Sequence, residues 1–285
     1  MSRPLRIGTR GSPLALAQAR LVADALNGQG VECEIVPITT TGDLIQDRPL
    51  AEVGGKALWT KELDRALVEG RTDLSVHSMK DVETLRPGAL VIAAMLERAD
   101  TSDRLIGADS IEALPQDAKV GTSSPRRTAQ LLARRPDLRC EPIRGNVQTR
   151  LAKLASGEYH ATLLAAAGLD RLGLDLGVPL DLLPAPAQGA IGIEILAGRD
   201  ELRALLAPID HSATHQAVST ERAFLAALVG DCHSAVAARA RGDLVEAEIL
   251  LPDGSEVQAG EGEPIGLARI LLGRASPALR AMFQR

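Results

Sequence analysis

The chain has 285 residues, of which 45% are hydrophobic and 24% charged, with a formal net charge of −5. That length allows two or three domains with sizeable cores, and that balance excludes a disordered or fibrous chain. The acidic balance and a set of four aromatics (Trp59, Tyr159, Phe224 and Phe283) argue against nucleic acid, which calls for cationic surface and stacking rings. In chain order, L-R-I-G-T reads as a strand, Pro13 to Leu26 as a helix, and Asn27-Gly28 as its stop. V-E-C-E-I-V-P-I alternates like a strand, Thr60 to Glu69 reads as a helix capped by Thr60, and D-L-S-V-H as a strand. The pattern restarts near residue 118: A-K-V-G-T is a strand, Pro125 to Arg134 a helix, and L-R-C-E-P-I-R a strand. A helix follows over Val147 to Ala155, capped by Asn146, and then a strand candidate at A-T-L-L-A-A-A.

Strands alternating with helices predict an α/β fold with a mostly parallel sheet. Residues 5–95 and 118–165 read as two related units, each starting on a G-T…S-P turn. Two such units facing each other would bring both turns, at the carboxyl ends of strands, to a shared cleft. The Pro- and Ala-rich stretch at 182–190 reads as a crossing segment, and I-G-I-E-I at 191–195 as a further strand. From residue 212 a helix to about Val229, short strands over 244–251 and 256–259, and two terminal helices suggest a small α+β domain. The N-terminal segment lacks an apolar signal region and no apolar run reaches bilayer length. Cys33, Cys140 and Cys232 are odd in number and scattered, which fits a reducing compartment. A cytoplasmic protein without membrane contact is the expectation.

Arginine recurs where helix electrostatics disfavour it, at Arg10 beside G-T-R-G-S-P and at Arg126-Arg127 after G-T-S-S-P. A helix start carries partial positive charge and unpaired N–H groups, so cations there call for an anion between them. Arg144 and Arg150 stand at comparable loop–helix junctions. The guanidinium fork matches carboxylate or phosphate, so a ligand with several such groups would explain the set. In V-H-S-M-K-D, Lys80 and Asp81 leave the end of a strand, where a carboxylate can serve acid–base work or steady a cation, or form an ordinary turn. His77 reads as a structural histidine. G-G-K-A-L-W, with Lys56 and Trp59, reads as a lid or as a surface loop. Cys232 lies just past a helix and would suit a tethered group, although most lone cysteines are inert. His211, His215, Cys232 and His233 match no zinc spacing, so no metal is expected.

Taken together, G-T-R-G-S-P-L-A-L-A-Q-A, T-T-T-G-D, G-G-K-A-L-W-T-K-E-L-D, V-H-S-M-K-D-V, G-T-S-S-P-R-R, R-G-N-V-Q-T-R-L and A-Q-G-A-I-G-I-E resemble the hydroxymethylbilane synthase (porphobilinogen deaminase) family. The motifs occur in family order and span about residue 5 to 232. The resemblance implies two lobes like those of type II periplasmic binding proteins plus a small α+β C-terminal domain. On that basis residues 1–96 and 190–208 form the first domain, 97–189 the second and 209–285 the third. It implies a monomeric transferase that joins four porphobilinogen molecules head to tail, releasing ammonia each time, and frees hydroxymethylbilane with water. It implies a dipyrromethane cofactor in thioether linkage to Cys232, and Asp81 as the catalytic carboxylate that steadies the azafulvenium cation. Arg10, Ser12, Arg126, Arg127, Arg144 and Arg150 match the family's carboxylate-binding positions, and Lys80 a cofactor-binding lysine. Asp43, Thr122, Ser123, Ser124 and Asn146 match polar cofactor contacts, and Lys56 and Trp59 the mobile loop. The cysteine motif departs from the family's Gly-Gly-Cys-x-x-Pro-x-Gly, reading Gly230-Asp231-Cys232-His233-Ser234-Ala235-Val236-Ala237, and Pro125 replaces a commoner Leu. Two other readings use the same arginines: a non-catalytic two-lobed solute-binding protein, and an enzyme for a phosphate-bearing metabolite. The first gives Asp81 and Cys232 no chemistry, and the second leaves Cys232 without a role.

Overall fold

The computed structural model describes residues 3–40, 60–230 and 234–283. The chain divides into two compact units, residues 1–99 with 189–215 and residues 100–188 with 216–285. Among the described residues no helix is long and apolar enough to cross a membrane.

The first unit holds β1 (Leu5–Arg10), β2 (Cys33–Ile38), β3 (Leu74–Ser78), β4 (Leu90–Met95) and β10 (Ile191–Leu196), in the order β2-β1-β3-β10-β4. β1 runs parallel to β2 and β3, whereas β10 runs antiparallel to β3 and β4. The helix Pro13–Asn27 starts where Ser12 caps it, accepting from the Ala15 N–H, with Pro13 in the first turn. Its Ala19, Val22, Ala23 and Leu26 recur at helical spacing and pack on Ile7, Leu74 and Ile193 of the sheet.

The second unit repeats the plan. β5 (Asp103–Ile106), β6 (Lys119–Gly121), β7 (Arg139–Glu141), β8 (Ala161–Ala165) and β9 (Val178–Leu180) form a sheet in the order β7-β6-β8-β5-β9. β6 is parallel to β7 and β8, and β5 is antiparallel to β8 and β9. β6 therefore occupies the place of β1, and the two G-T…S-P turns are equivalent. Both sheets are mixed rather than mostly parallel. In each, one strand from a non-adjacent stretch of chain enters antiparallel, a pairing that local periodicity does not encode.

The same unit includes an antiparallel sheet of β11 (Val236–Arg241), β12 (Leu244–Leu250) and β13 (Val257–Gly262), packed on the helices Ser212–Ala227 and Pro264–Arg274 through Phe224, Leu267 and Leu271. This sheet packs against the helix Pro125–Arg134. Ala129 meets Ala235 and Leu250, and Gln130 donates to Glu248 at 2.8 Å. A side chain on Gly254 would strike the backbone of that helix at 2.3 Å, and Gly254 has a φ of 73°. Glu221, fully buried, accepts from the Ala187 N–H at 2.6 Å and the Ala240 N–H at 2.9 Å.

Candidate active site

In the first unit the parallel neighbours β1 and β3 end side by side. β1 delivers Arg10 and then the capping Ser12; β3 runs into a single 3-10 turn, Met79–Asp81, which presents Lys80 and Asp81. Arg10, Gln18, Thr60, His77, Ser78, Asp81 and Val82 line one open hollow. The floor is fixed: Gln18 and Ser78 exchange hydrogen bonds at 2.9 and 3.0 Å. Met79 is buried, its N–H donates to Ala190, and a Cβ on Gly192 would meet its sulfur at 2.1 Å. The glycine of I-G-I-E thus leaves room for the side chain beneath the Asp81 turn.

A buried charge network adjoins this hollow. Glu194 on β10 is completely buried and lies 3.1 Å from His77 Nε2. Arg86 clamps it with Nε and Nη2 at 2.8 and 2.9 Å, and also donates to Glu83 at 2.6 Å and Asp64 at 2.5 Å. Burial alone would raise the Glu194 carboxyl, but the hydrogen bonds from His77 and Arg86 outweigh it and hold it down to about 2. His77 is held by Glu194, in keeping with a structural histidine. Thr60 stands at the start of the helix Lys61–Val68, but its hydroxyl donates to Glu83 rather than capping that helix. The hydroxyl oxygen accepts instead from Arg86 Nη1 at 3.3 Å.

In the second unit Thr122, Ser123 and Ser124 follow β6, and Ser124 caps the helix Pro125–Arg134 through the Arg127 N–H. Ser123 Oγ donates to the Ile143 carbonyl at 2.8 Å, and the Thr122 N–H to Glu141 at 2.9 Å. This sets the turn beside the loop that carries Arg144. Gly145 takes a φ of 101°, where a Cβ would strike Thr149 at 2.5 Å. Asn146 then caps the helix Val147–Ala155 at the Thr149 N–H, and Arg150 Nε folds back on the Gly145 carbonyl at 3.0 Å. Partial burial pushes the Arg144 guanidinium below its ordinary value.

Arg126 and Arg127 require a correction to the sequence argument. The anion that their helix-start position calls for is supplied by the chain itself. Asp103, fully buried on β5, accepts from Arg126 Nη1 and Arg127 Nη2, each at 2.6 Å. Arg126 Nη1 also reaches the Leu183 carbonyl, and Arg127 Nη1 the Leu163 carbonyl. Gln188 adds a bond to Asp103 at 2.9 Å. Burial works against the Asp103 carboxylate, but the two guanidiniums hold it far below its ordinary range. Placement at a helix start therefore does not by itself argue for a ligand on this pair; their family-motif match remains. Sequence reasoning gave no role to Asp103, Arg86 or Glu194, whose partners, Glu83 apart, are 22 to 117 residues away. Asp43, Lys56, Trp59 and Cys232 lie outside the described residues. Cys232 belongs to the link between the helix Ser212–Ala227 and β11. His211 bonds Thr214, and His215 bonds Asp210.

Residues 5–204 match the family described as "Porphobilinogen deaminase, dipyromethane cofactor binding domain". The chain belongs to the porphobilinogen deaminase family. Two relatives of that name span nearly all of it. The one from Sphingopyxis alaskensis is 55% identical, covering 98% of this chain and 96% of its own length. The one from Paracoccus denitrificans is 49% identical, covering 95% of each. Among solved structures the chain is similar to a pheromone cOB1 precursor/lipoprotein of the YaeC family from Enterococcus faecalis, 14% identical, with a TM-score of 0.46, covering 73% of this chain and 91% of that one. The family's dipyrromethane bears carboxylates and pyrrole N–H groups. The porphobilinogen deaminase motifs carry side chains of matching chemistry: guanidiniums at Arg10, Arg144 and Arg150, and a carboxylate at Asp81 in the same hollow as Arg10.

Proposed function

We propose that this protein is a porphobilinogen deaminase that extends a dipyrromethane on Cys232 by four porphobilinogen molecules and releases hydroxymethylbilane by hydrolysis. The observation that carries this reading is the pairing of Asp81 with Arg10 in one hollow, at the carboxyl ends of adjacent parallel strands. Porphobilinogen carries an acetate, a propionate and a pyrrole N–H, so its recognition calls for a cation and an acceptor together. Arg10 binds a carboxylate, with Ser12, two positions on, and Lys80, next to Asp81 in sequence, as further donors. Asp81 accepts the pyrrole N–H and, as ammonia leaves, lies against the developing positive charge on the substrate. A fixed carboxylate lowers that barrier because it is oriented before the charge appears. Arg144, Asn146 and Arg150, together with Thr122, Ser123 and Ser124, serve further carboxylates of the growing chain. Arg126 and Arg127 place positive charge behind the same turn, and Asp43, Lys56 and Trp59 keep the roles that their motifs imply. When bound, the dipyrromethane supplies the free pyrrole α-carbon at which growth begins. We place the protein in the cytoplasm as a three-domain monomer, which its scattered cysteines and the family resemblance support. Asp81→Asn tests the catalytic assignment: the variant is expected to retain its cofactor and lose nearly all turnover of porphobilinogen. Near-parental turnover would remove Asp81 from the mechanism.

A further inference from the structure

The Asp81 turn is held from both sides. Four residues before Asp81, His77 is bonded to the buried Glu194. Two residues after it, Glu83 accepts from Arg86 at 2.6 Å and from the Thr60 hydroxyl at 3.0 Å. Arg86 is common to both anchors. Its guanidinium grips both oxygens of Glu194 on β10, Glu83 in the loop beyond the turn, and Asp64 on the helix Lys61–Val68. β10, the loop beyond the turn and that helix are thereby tied through one side chain with little exposure of its own, 9%. Arg86 does not line the hollow, whereas His77, Thr60 and Asp81 do.

We infer that Arg86 is a positioning residue for the reaction: with Glu194 and Glu83 it fixes the turn that aims Asp81. This rests on the reading of Asp81 as the catalytic carboxylate. A guanidinium is suited to the task because its planar fork bonds several carboxylates in fixed directions, which an ammonium does not do. Small displacements of a group that must face a developing charge are costly in rate, while substrate affinity rests on other contacts. The signature is therefore a fall in kcat with KM nearly unchanged.

The test uses the full-length, cofactor-loaded protein, with loading verified by intact mass. Arg86→Lys keeps the charge and loses the fork. Glu83→Ala releases the anchor after the turn and removes a side chain that is 22% exposed, so it leaves the core intact. Both are expected to lower kcat about tenfold or more with KM within about twofold. Glu83→Ala is also expected to keep its cofactor and to stay folded at the assay temperature, its thermal midpoint lowered by only a few degrees. A kcat within about twofold of parental in folded Glu83→Ala overturns the inference, as does a loss confined to KM. If Arg86→Lys does not fold, Glu83→Ala decides. Asp81→Asn run in parallel separates the two claims. An active Asp81→Asn sinks the catalytic reading, whereas an inactive Asp81→Asn beside a normal Glu83→Ala sinks the positioning role alone.

Discussion

Replacing Asp103 with Ala removes the anion that Arg126 and Arg127 share. Asp103 accepts hydrogen bonds at 2.6, 2.6 and 2.9 Å, from the two guanidiniums and Gln188, and is fully buried. Charged hydrogen bonds contribute roughly 1.5–3 kcal/mol each, so three of them set a ceiling well above any net effect. The better guide is the cost of removing one partner from a buried ion pair, about 3–5 kcal/mol, because the guanidiniums stay behind without compensation. With a urea slope of about 3 kcal/mol per molar, the unfolding midpoint should fall by about 1–1.7 M. Circular dichroism of the holoenzyme across a urea series reads this directly. A companion variant, Asp103→Leu with Arg126→Met and Arg127→Leu, should recover much of the loss, since the stranded charges are gone. A loss below about 1 kcal/mol for Asp103→Ala would refute the reasoning. It would mean that another anion, such as a ligand carboxylate, holds the two arginines.

Two further outcomes follow from the first unit. The Glu194 carboxyl lies at about 2 against an ordinary 4.5, so its contribution is present above about 4.5 and is lost as pH falls toward 2. That contribution is on the order of 3 kcal/mol, and Glu194→Gln should flatten the stability profile over this window by about that amount. An unchanged slope would contradict the ionised, doubly held carboxylate. Gly192→Ala would drive a methyl group into Met79 under the Asp81 turn, where the contact would be 2.1 Å. Porphobilinogen turnover should fall more than about tenfold. Normal turnover would show that the turn tolerates displacement.

How much of this was legible in the sequence depended on how far each determinant reaches along the chain. The helix over Pro125–Arg134 and the Asn146 cap were legible because a cap and its N–H lie three residues apart. The equivalence of the two turns was visible too, as a recurrence of G-T…S-P, and the sheets bear it out through matching strand orders. The antiparallel entry of β10 was not legible, because I-G-I-E-I describes a buried strand and says nothing of its neighbours. β11 (Val236–Arg241) was not legible, since V-A-A-R-A-R holds one strand-favouring residue, Val236, among alanines and arginines. At the site, Arg10 and Asp81 were found through motifs and do share a hollow. Asp103 was missed because nothing near it in sequence marks it as the partner of a helix 22 residues on.

The most direct test of the account is the intact mass of the protein purified from a porphobilinogen-producing host. The account predicts an excess over the sequence mass equal to two linked pyrrole units, present in the parent and absent in Cys232→Ser. A parent protein at bare sequence mass, or an excess that survives in Cys232→Ser, would contradict it.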